Sequence, residues 1–552
     1  MNLLVLTSYY LILLFSIIGF GFFLSKLLKL ELKINDIAIY GILGIIFLTF
    51  ISYLTNIFFP HNFVHNIIIH SLGILLFLYS RIFKVFSNTR INYIIILFIF
   101  SFFVLNLMAK THDDFGWYHL PYTLNLSQIK LQYGLGHFNH GFRTPSSLFY
   151  INSLFYLPGV KFYTFNFSQL YIFLFSIIFF YKKIFANTKT NTLVNFYSLL
   201  SIIFVLVAFY RLAEHGTDRS GQILLFIIVI FILEILNEKK LNLVNINLIL
   251  ILLAYIVTLK SYFVIFGILL IPIMFRLSNN LQIYKKIFFS KIILFSFLLL
   301  FLHFNVQLAN SGCLFYPINF SCFDGFIWSI NEKEIINMGQ WYELWSKAGA
   351  NPNYRVENPS EYISGLNWIK NWFSNYFFYK VSDFLLGIFT ILITCYLFFF
   401  KSKKKKNNKI KIQIVIISFF TIFLIWFFKF PQLRYGGYII IANLIFLPFC
   451  IFLSRYVTNK KTIQSLKVLL IISLVVFIGR NINRINKEIK IYNYKPFKYV
   501  YFKIEEHKFK TKMFENDIKL NISESSCWAT QQPCTHRSGI KAIKKNNYII
   551  YF

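Results

Sequence analysis

Asp113 and Asp114 stand side by side in Lys110–Pro158, a stretch where an otherwise apolar chain turns polar. His112, His119, His137, His140 and Arg143 share that stretch. Two adjacent carboxylates in a partly desolvated cleft repel each other, so burial raises one pKa and leaves the other group ionised. An ionised carboxylate of that kind suits general-base work on a hydroxyl, and Asp113, nearer the preceding apolar run, is the first choice of the pair. Imidazole with carboxylate also suits several divalent metals. The spacing of His112, Asp113, Asp114 and His119 matches no fixed pattern such as HExxH. A divalent cation there is therefore the lesser alternative, no metal ligand is assigned, and interfacial hydrogen bonding is the expectation for most of the histidines.

Further polar groups lie in three other loops. The run RLAEHGTDRSGQ at 211–222 offers Glu214 or Asp218 as a second acidic residue. Lys260 falls between two apolar runs, where a charge is costly unless solvated or paired. The run KFPQLRYGGY at 429–438 places Arg434 beside Tyr435 and two glycines. A guanidinium fork matches phosphate and carboxylate geometry. Arg143, Lys260 and Arg434 together predict a cationic site for a phosphorylated substrate; lipid headgroups are the alternative occupant.

The elements that must carry these residues are membrane helices. Of 552 residues 57% are hydrophobic and only 14% charged, against about 45–50% and about 25% in soluble domains; the mean hydropathy is +0.61. Fourteen apolar segments predict an all-α polytopic membrane protein: 3–25, 38–58, 66–83, 91–109, 166–185, 193–211, 222–236, 243–258, 261–275, 290–308, 381–400, 412–428, 438–453 and 467–480. The net charge of +34 lies mostly between apolar runs or in the tail, with no groove-reading motif, which excludes nucleic acid as the partner and points to membrane lipids. Loops 59–65, 211–221, 259–260 and 429–437 carry five Lys and Arg between them, while the alternate loops are richer and one holds KSKKKKNNKIK at 401–411. The positive-inside rule then puts both termini outside, with loop 110–165, loop 309–380 and tail 481–552 on that same outer side. The N-terminal run lacks a basic leader and reads as a first helix, not a cleaved signal.

This gives leading helices (1–109), an acidic external loop (110–165), a transmembrane core (166–308), an external subdomain (309–380), closing helices (381–480) and a small basic external tail (481–552). Cys395 and Cys450 fall within apolar runs, while Cys313 with Cys322 and Cys527 with Cys534 form short-spaced pairs in segments placed outside, which predicts two disulfides. Within the acidic loop, spacing predicts a helix from Tyr118 toward Tyr133 lying along the membrane surface, ended by Gly134 and Gly136, and a second over 145–157.

The Asp pair opening a large loop, the run DDFGWYHLPYTLNLSQIKLQYGL, the helix after Arg143 and the late RYGGY resemble the GT-C superfamily of integral-membrane glycosyltransferases. NSGCLFYPI and PQLRYGGY also look like a bacterial branch of such proteins. The likeness spans roughly residues 90–450, and about four helices precede the acidic loop here where most of the superfamily has one. It implies a bacterial inner-membrane transferase that moves a sugar, with inversion, from a polyprenyl-phosphate donor to a glycan, lipid or protein acceptor. It further implies that Asp113 or Asp114 is the base, that Arg434 or Lys260 stabilises the leaving phosphate, and that no metal is required. A surface-polysaccharide polymerase or ligase, and a transporter or flippase, are the alternatives. The donor sugar is not legible.

Overall fold

The computed structural model describes residues 3–33, 36–82, 90–185, 192–237, 241–278, 281–351, 354, 356–399, 412–455, 460–494 and 502–552. The lysine block at 401–411 lies outside the described residues. Among the described residues eight helices are long and apolar enough to cross a bilayer: Leu3–Leu27, Ile37–Phe58, Phe63–Ser80, Phe162–Phe185, Asp218–Asn237, Lys291–Ser311, Ile369–Phe399 and Thr462–Tyr492. Six shorter apolar helices, Tyr93–Leu105, Thr192–Ala208, Leu243–Leu259, Ser261–Leu277, Gln413–Lys429 and Gly437–Leu453, occupy the other apolar segments. Lipid offers no partner to a bare peptide group, so an apolar run satisfies its backbone internally as a helix. The chain is a multi-pass helical membrane protein.

Helices Phe162–Phe185 and Asp218–Asn237 are 89% buried over their apolar windows, whereas Phe63–Ser80 and Ile369–Phe399 are only 28% and 17% buried. The first pair therefore forms the centre of the bundle and the second its lipid-facing rim. Gly44 lets the first two helices touch: a Cβ there would lie 1.8 Å from the Ile17 carbonyl oxygen. Close backbone approach of this kind is how helices associate in lipid. At one end of the bundle Lys183 pairs with Glu234, whose other oxygen accepts from Asn245 Nδ2 at 3.0 Å.

The polar loops collect at the other end, joined by their own contacts. Tyr133 exchanges backbone bonds with the tail, its N–H reaching Ile549 O at 3.0 Å and its oxygen accepting from Tyr551 N at 2.9 Å. His137 Nε2 lies 3.1 Å from Trp328 O, and Arg143 reaches Glu334, which ties the acidic loop to the 309–380 segment. Disulfides Cys313–Cys322 and Cys527–Cys534 close both neighbouring segments. Cys395 and Cys450 are buried free thiols.

Three expectations are corrected. The helix predicted from Tyr118 to Tyr133 is a π turn, Phe115–His119, followed by an α-helix, Leu120–Gln128; it stops at Ile129 because that residue is extended (φ −136°, ψ 139°), before either glycine. Nor does it lie along a surface, since Leu120 through Ser127 are all buried. The second helix is shorter than 145–157, running Ser147–Leu154 with Ser146 Oγ accepting from Leu148 N at 3.3 Å. The tail boundary moves too. The final helix runs Lys460–Tyr492, past 480, and beyond it the all-α pattern gives way to strands. Phe509–Met513, Lys519–Ser523 and Cys534–Thr535 form one sheet, and Ala542–Lys545 with Tyr548–Tyr551 form a hairpin.

Candidate functional site

The tail positions the acidic loop from behind. Trp528 N–H donates to Gly116 O at 3.0 Å, and Gln532 N–H to Gln128 Oε1 at 2.9 Å. A Cβ at Gly116 would lie 2.3 Å from the Trp528 ring, so only glycine lets the indole seat there. The π turn begins immediately after Asp114, whose carbonyl accepts from Tyr118 N at 3.1 Å and His119 N at 3.4 Å. Single π turns concentrate at functional sites.

The two aspartates part company. The Asp113 side chain is 83% exposed and pairs with Lys110 at 2.7 Å. Asp114 is 33% exposed and gathers a polar cluster. Tyr118 donates to its Oδ2 at 2.7 Å, His112 Nδ1 lies 3.6 Å away and an Arg434 nitrogen 3.9 Å away. Burial alone raises the Asp114 carboxyl. His112, His119, the Tyr118 hydroxyl and Arg434 outweigh it and hold Asp114 below the usual carboxylate range. Of the two, Asp113, the first choice from sequence, is the exposed one, and Asp114, at the start of the π turn, is the one held among partners.

Across from Asp114, Asp218 is buried at the start of its helix and ligates two cations. Lys260 Nζ bonds Oδ1, and Arg434 Nε bonds Oδ2 at 3.0 Å. Tyr435 is the aromatic platform behind them, with the Lys260 ammonium 4.6 Å and the Arg434 guanidinium 5.7 Å from its ring centroid. Burial opposes the Arg434 charge, but the Asp218 carboxylate more than compensates and fixes it as a cation. Lys260 thus sits where a charge is tolerable only because it is paired. Glu214 is committed to Arg211 at 2.7 Å.

A cavity of about 290 Å³ opens beside this cluster, walled on one side by His112 and Asp113 and on the other by Asp218, Arg219, Gln222 and Arg434. Glu214 and Lys380 also line it. Asp113 therefore stands at its mouth, while Asp114 lies beside it and touches two of its lining residues. Arg219 and Lys380 form no ion pair among the described residues, although Arg219 lies over the Phe209 ring at 5.6 Å. His215 is buried in the wall, its Nδ1 unbonded among the described residues, and burial pushes its pKa down to about 3. Gln222 Oε1 is likewise unbonded there. Net positive charge and unspent polar atoms suit an anionic, hydrogen-bonding guest.

Sequence reasoning grouped Arg143 with the cavity cations, and the structure does not. Arg143 is wholly buried and spent: Nε donates to Gly136 O at 3.1 Å, Nη1 to the Tyr316 hydroxyl at 2.6 Å and Nη2 to Glu334. It staples loops, because a buried guanidinium must find every partner it can. Lys260 similarly faces Asp218 and does not line the cavity. The free cations, Arg219 and Lys380, went unassigned; each directly flanks or opens an apolar run, as in TDRSGQILL and YFFYKVSDF, and that position was the available signal.

A family profile described as a domain of unknown function, DUF8201, matches residues 1–441, from the first helix through the turn that bears Arg434. No curated protein matches the chain, and no solved structure does. With most of its length matched, including every loop that supplies the cluster, the chain belongs to the DUF8201 family.

Proposed function

We propose that this protein is a membrane glycosyltransferase of the GT-C type, taking a sugar from a polyprenyl-phosphate donor and passing it to a glycan, lipid or protein hydroxyl. The observation that supports it best is the pairing of an ionised carboxylate, Asp114, with Arg434 at 3.9 Å, beside a cavity of about 290 Å³ that holds two uncommitted cations. Asp114 accepts the acceptor's proton as its oxygen attacks the anomeric carbon, and Arg219, Lys380 and Arg434 meet the departing phosphate. Asp218 and Lys260 hold Arg434 in place. In this reading all fourteen apolar segments cross the bacterial inner membrane. The end of the bundle bearing the cavity and both disulfides faces outward, where oxidation is permitted.

The test is a strain lacking the protein, analysed by mass spectrometry for polyprenyl-phosphate sugars and surface glycans. The donor is expected to accumulate and one glycan modification to disappear, with Asp114→Asn failing to restore it at normal protein level. Normal donor and glycan profiles in the deletion strain, or full restoration by Asp114→Asn, overturn the proposal.

A further inference from the structure

The transferase reading uses Asp114 but leaves its two histidine neighbours idle. Their arrangement is specific. His112, Asp114 and His119 come from eight consecutive residues, and one ligand atom from each lies within 4.8 Å of the others. The π turn creates this convergence. In an α-helix, position i+5 points about 140° away from position i. Here the backbone bond from His119 N to Asp114 O closes an i+5 turn, which stacks the two side chains on one side. The His112 and His119 rings lie nearly parallel, with centroids 5.3 Å apart at 22°.

His119 supplies an independent observation. It is 6% exposed, yet its ring nitrogens make no hydrogen bond to any described residue. The buried His61, His70, His215 and His303 all use at least one nitrogen. The His119 ring nitrogens are therefore free to ligate, beside the His112 and Asp114 ligand atoms with which they converge.

We infer that His112, Asp114 and His119 form a binding site for a first-row divalent transition cation of the zinc class. With metal–ligand bonds of about 2.1 Å, ligand atoms lie roughly 3.4–4.2 Å apart. His112 Nδ1 and Asp114 Oδ2, at 3.6 Å, already have that spacing. The cation takes the Nδ1 lone pair that the Asp114 N–H now shares at 3.1 Å. Two imidazoles and one carboxylate favour zinc, cobalt, nickel or iron over magnesium or calcium. Three protein ligands leave open positions, as in sites that bind a substrate or water. The nearby charges also matter. Asp114 and Asp218 balance Lys260 and Arg434, so a dication leaves this end of the cavity with surplus positive charge and draws an anion to the open positions.

The site is tested by direct binding, independently of the transferase reading. Full-length protein in nanodiscs, purified with a histidine-free tag and stripped of metal, is titrated with Co²⁺ and followed by its visible d–d absorption. One equivalent is expected to bind, Zn²⁺ to displace it and millimolar Mg²⁺ to leave it in place. The spectrum should lack thiolate charge transfer, which excludes Cys395 and Cys450 as ligands. His119→Gln and Asp114→Asn are each expected to weaken binding at least about 100-fold, while Asp324→Asn, on an exposed loop, changes nothing. His112→Gln repeats the test should either variant fail to purify as a monodisperse species. Equal Co²⁺ affinity in wild type and the histidine variants, or no saturable binding by wild type, overturns the inference. Loss of glycan transfer in Arg219→Gln with Co²⁺ binding intact separates the metal site from the transferase proposal.

Discussion

Asp218→Asn removes the single carboxylate that two cations share. Asp218 is 8% exposed at its side chain, with Lys260 on one oxygen and Arg434 on the other at 3.0 Å. Breaking a buried ion pair by deleting one partner costs about 3–5 kcal/mol. Two relaxations reduce that figure here. The Tyr435 ring still faces both cations, at 4.6 and 5.7 Å, and a cation–π contact is worth roughly 0.5–2 kcal/mol. Burial also lowers the Lys260 pKa, so without Asp218 that ammonium can shed its proton. A net loss of about 3 kcal/mol corresponds to a fall in Tm of roughly 3 °C, because an unfolding entropy of about 2.1 cal/mol/K per residue over 552 residues gives about 1 °C per kcal/mol. A thiol-reactive dye reports it, because Cys395 and Cys450 are buried and become reactive only on unfolding. Adding Lys260→Met removes one orphaned charge and should return part of the loss. An unchanged Tm for Asp218→Asn, or no recovery in the double variant, refutes the view that this triad holds the cleft together.

Asp113→Asn breaks only an exposed pair with Lys110 and should change Tm by less than about 1 °C and glycan transfer by less than about threefold. Because Asp114 is held below the usual carboxylate range, it is ionised at every pH above the ordinary value of about 3.9. Transfer should therefore show no acid limb between pH 5 and 7, and the stability Asp114 contributes is lost only as pH falls through its depressed value; an acid limb near pH 6 contradicts this assignment. Arg219→Gln with Lys380→Gln should weaken binding of a short-chain polyprenyl phosphate about tenfold, measured by native mass spectrometry. Gly116→Val puts a side chain where the Trp528 ring lies and should release the tail, seen as faster proteolysis within 502–552.

The membrane helices were legible because apolar run length and lipid physics leave one solution. Arg434 and Asp218 were legible as charges stranded near membrane boundaries. What was not legible follows from side-chain direction. Nothing in the order Asp113-Asp114 says which carboxylate turns inward, since that depends on one extra residue in a turn, and π turns carry no composition signature. Arg143 looked like Arg434 in sequence, yet one is sealed against Glu334 and Tyr316 and the other borders the cavity. The strands of the tail were missed because each is five residues or shorter and β1, Phe509–Met513, is exposed throughout.

The contact of Trp528 and Gln532 with the acidic loop also sets an order of events. Gln128 meets Gln532 across a sequence separation of 404 residues. At about 5–20 residues per second, the ribosome takes roughly 20–80 s to deliver the second after the first. Throughout that interval the aspartates hang on an unbacked loop while membrane insertion proceeds around them. Until Trp528 and Gln532 arrive, the loop that carries Asp114 lacks the contacts that back it.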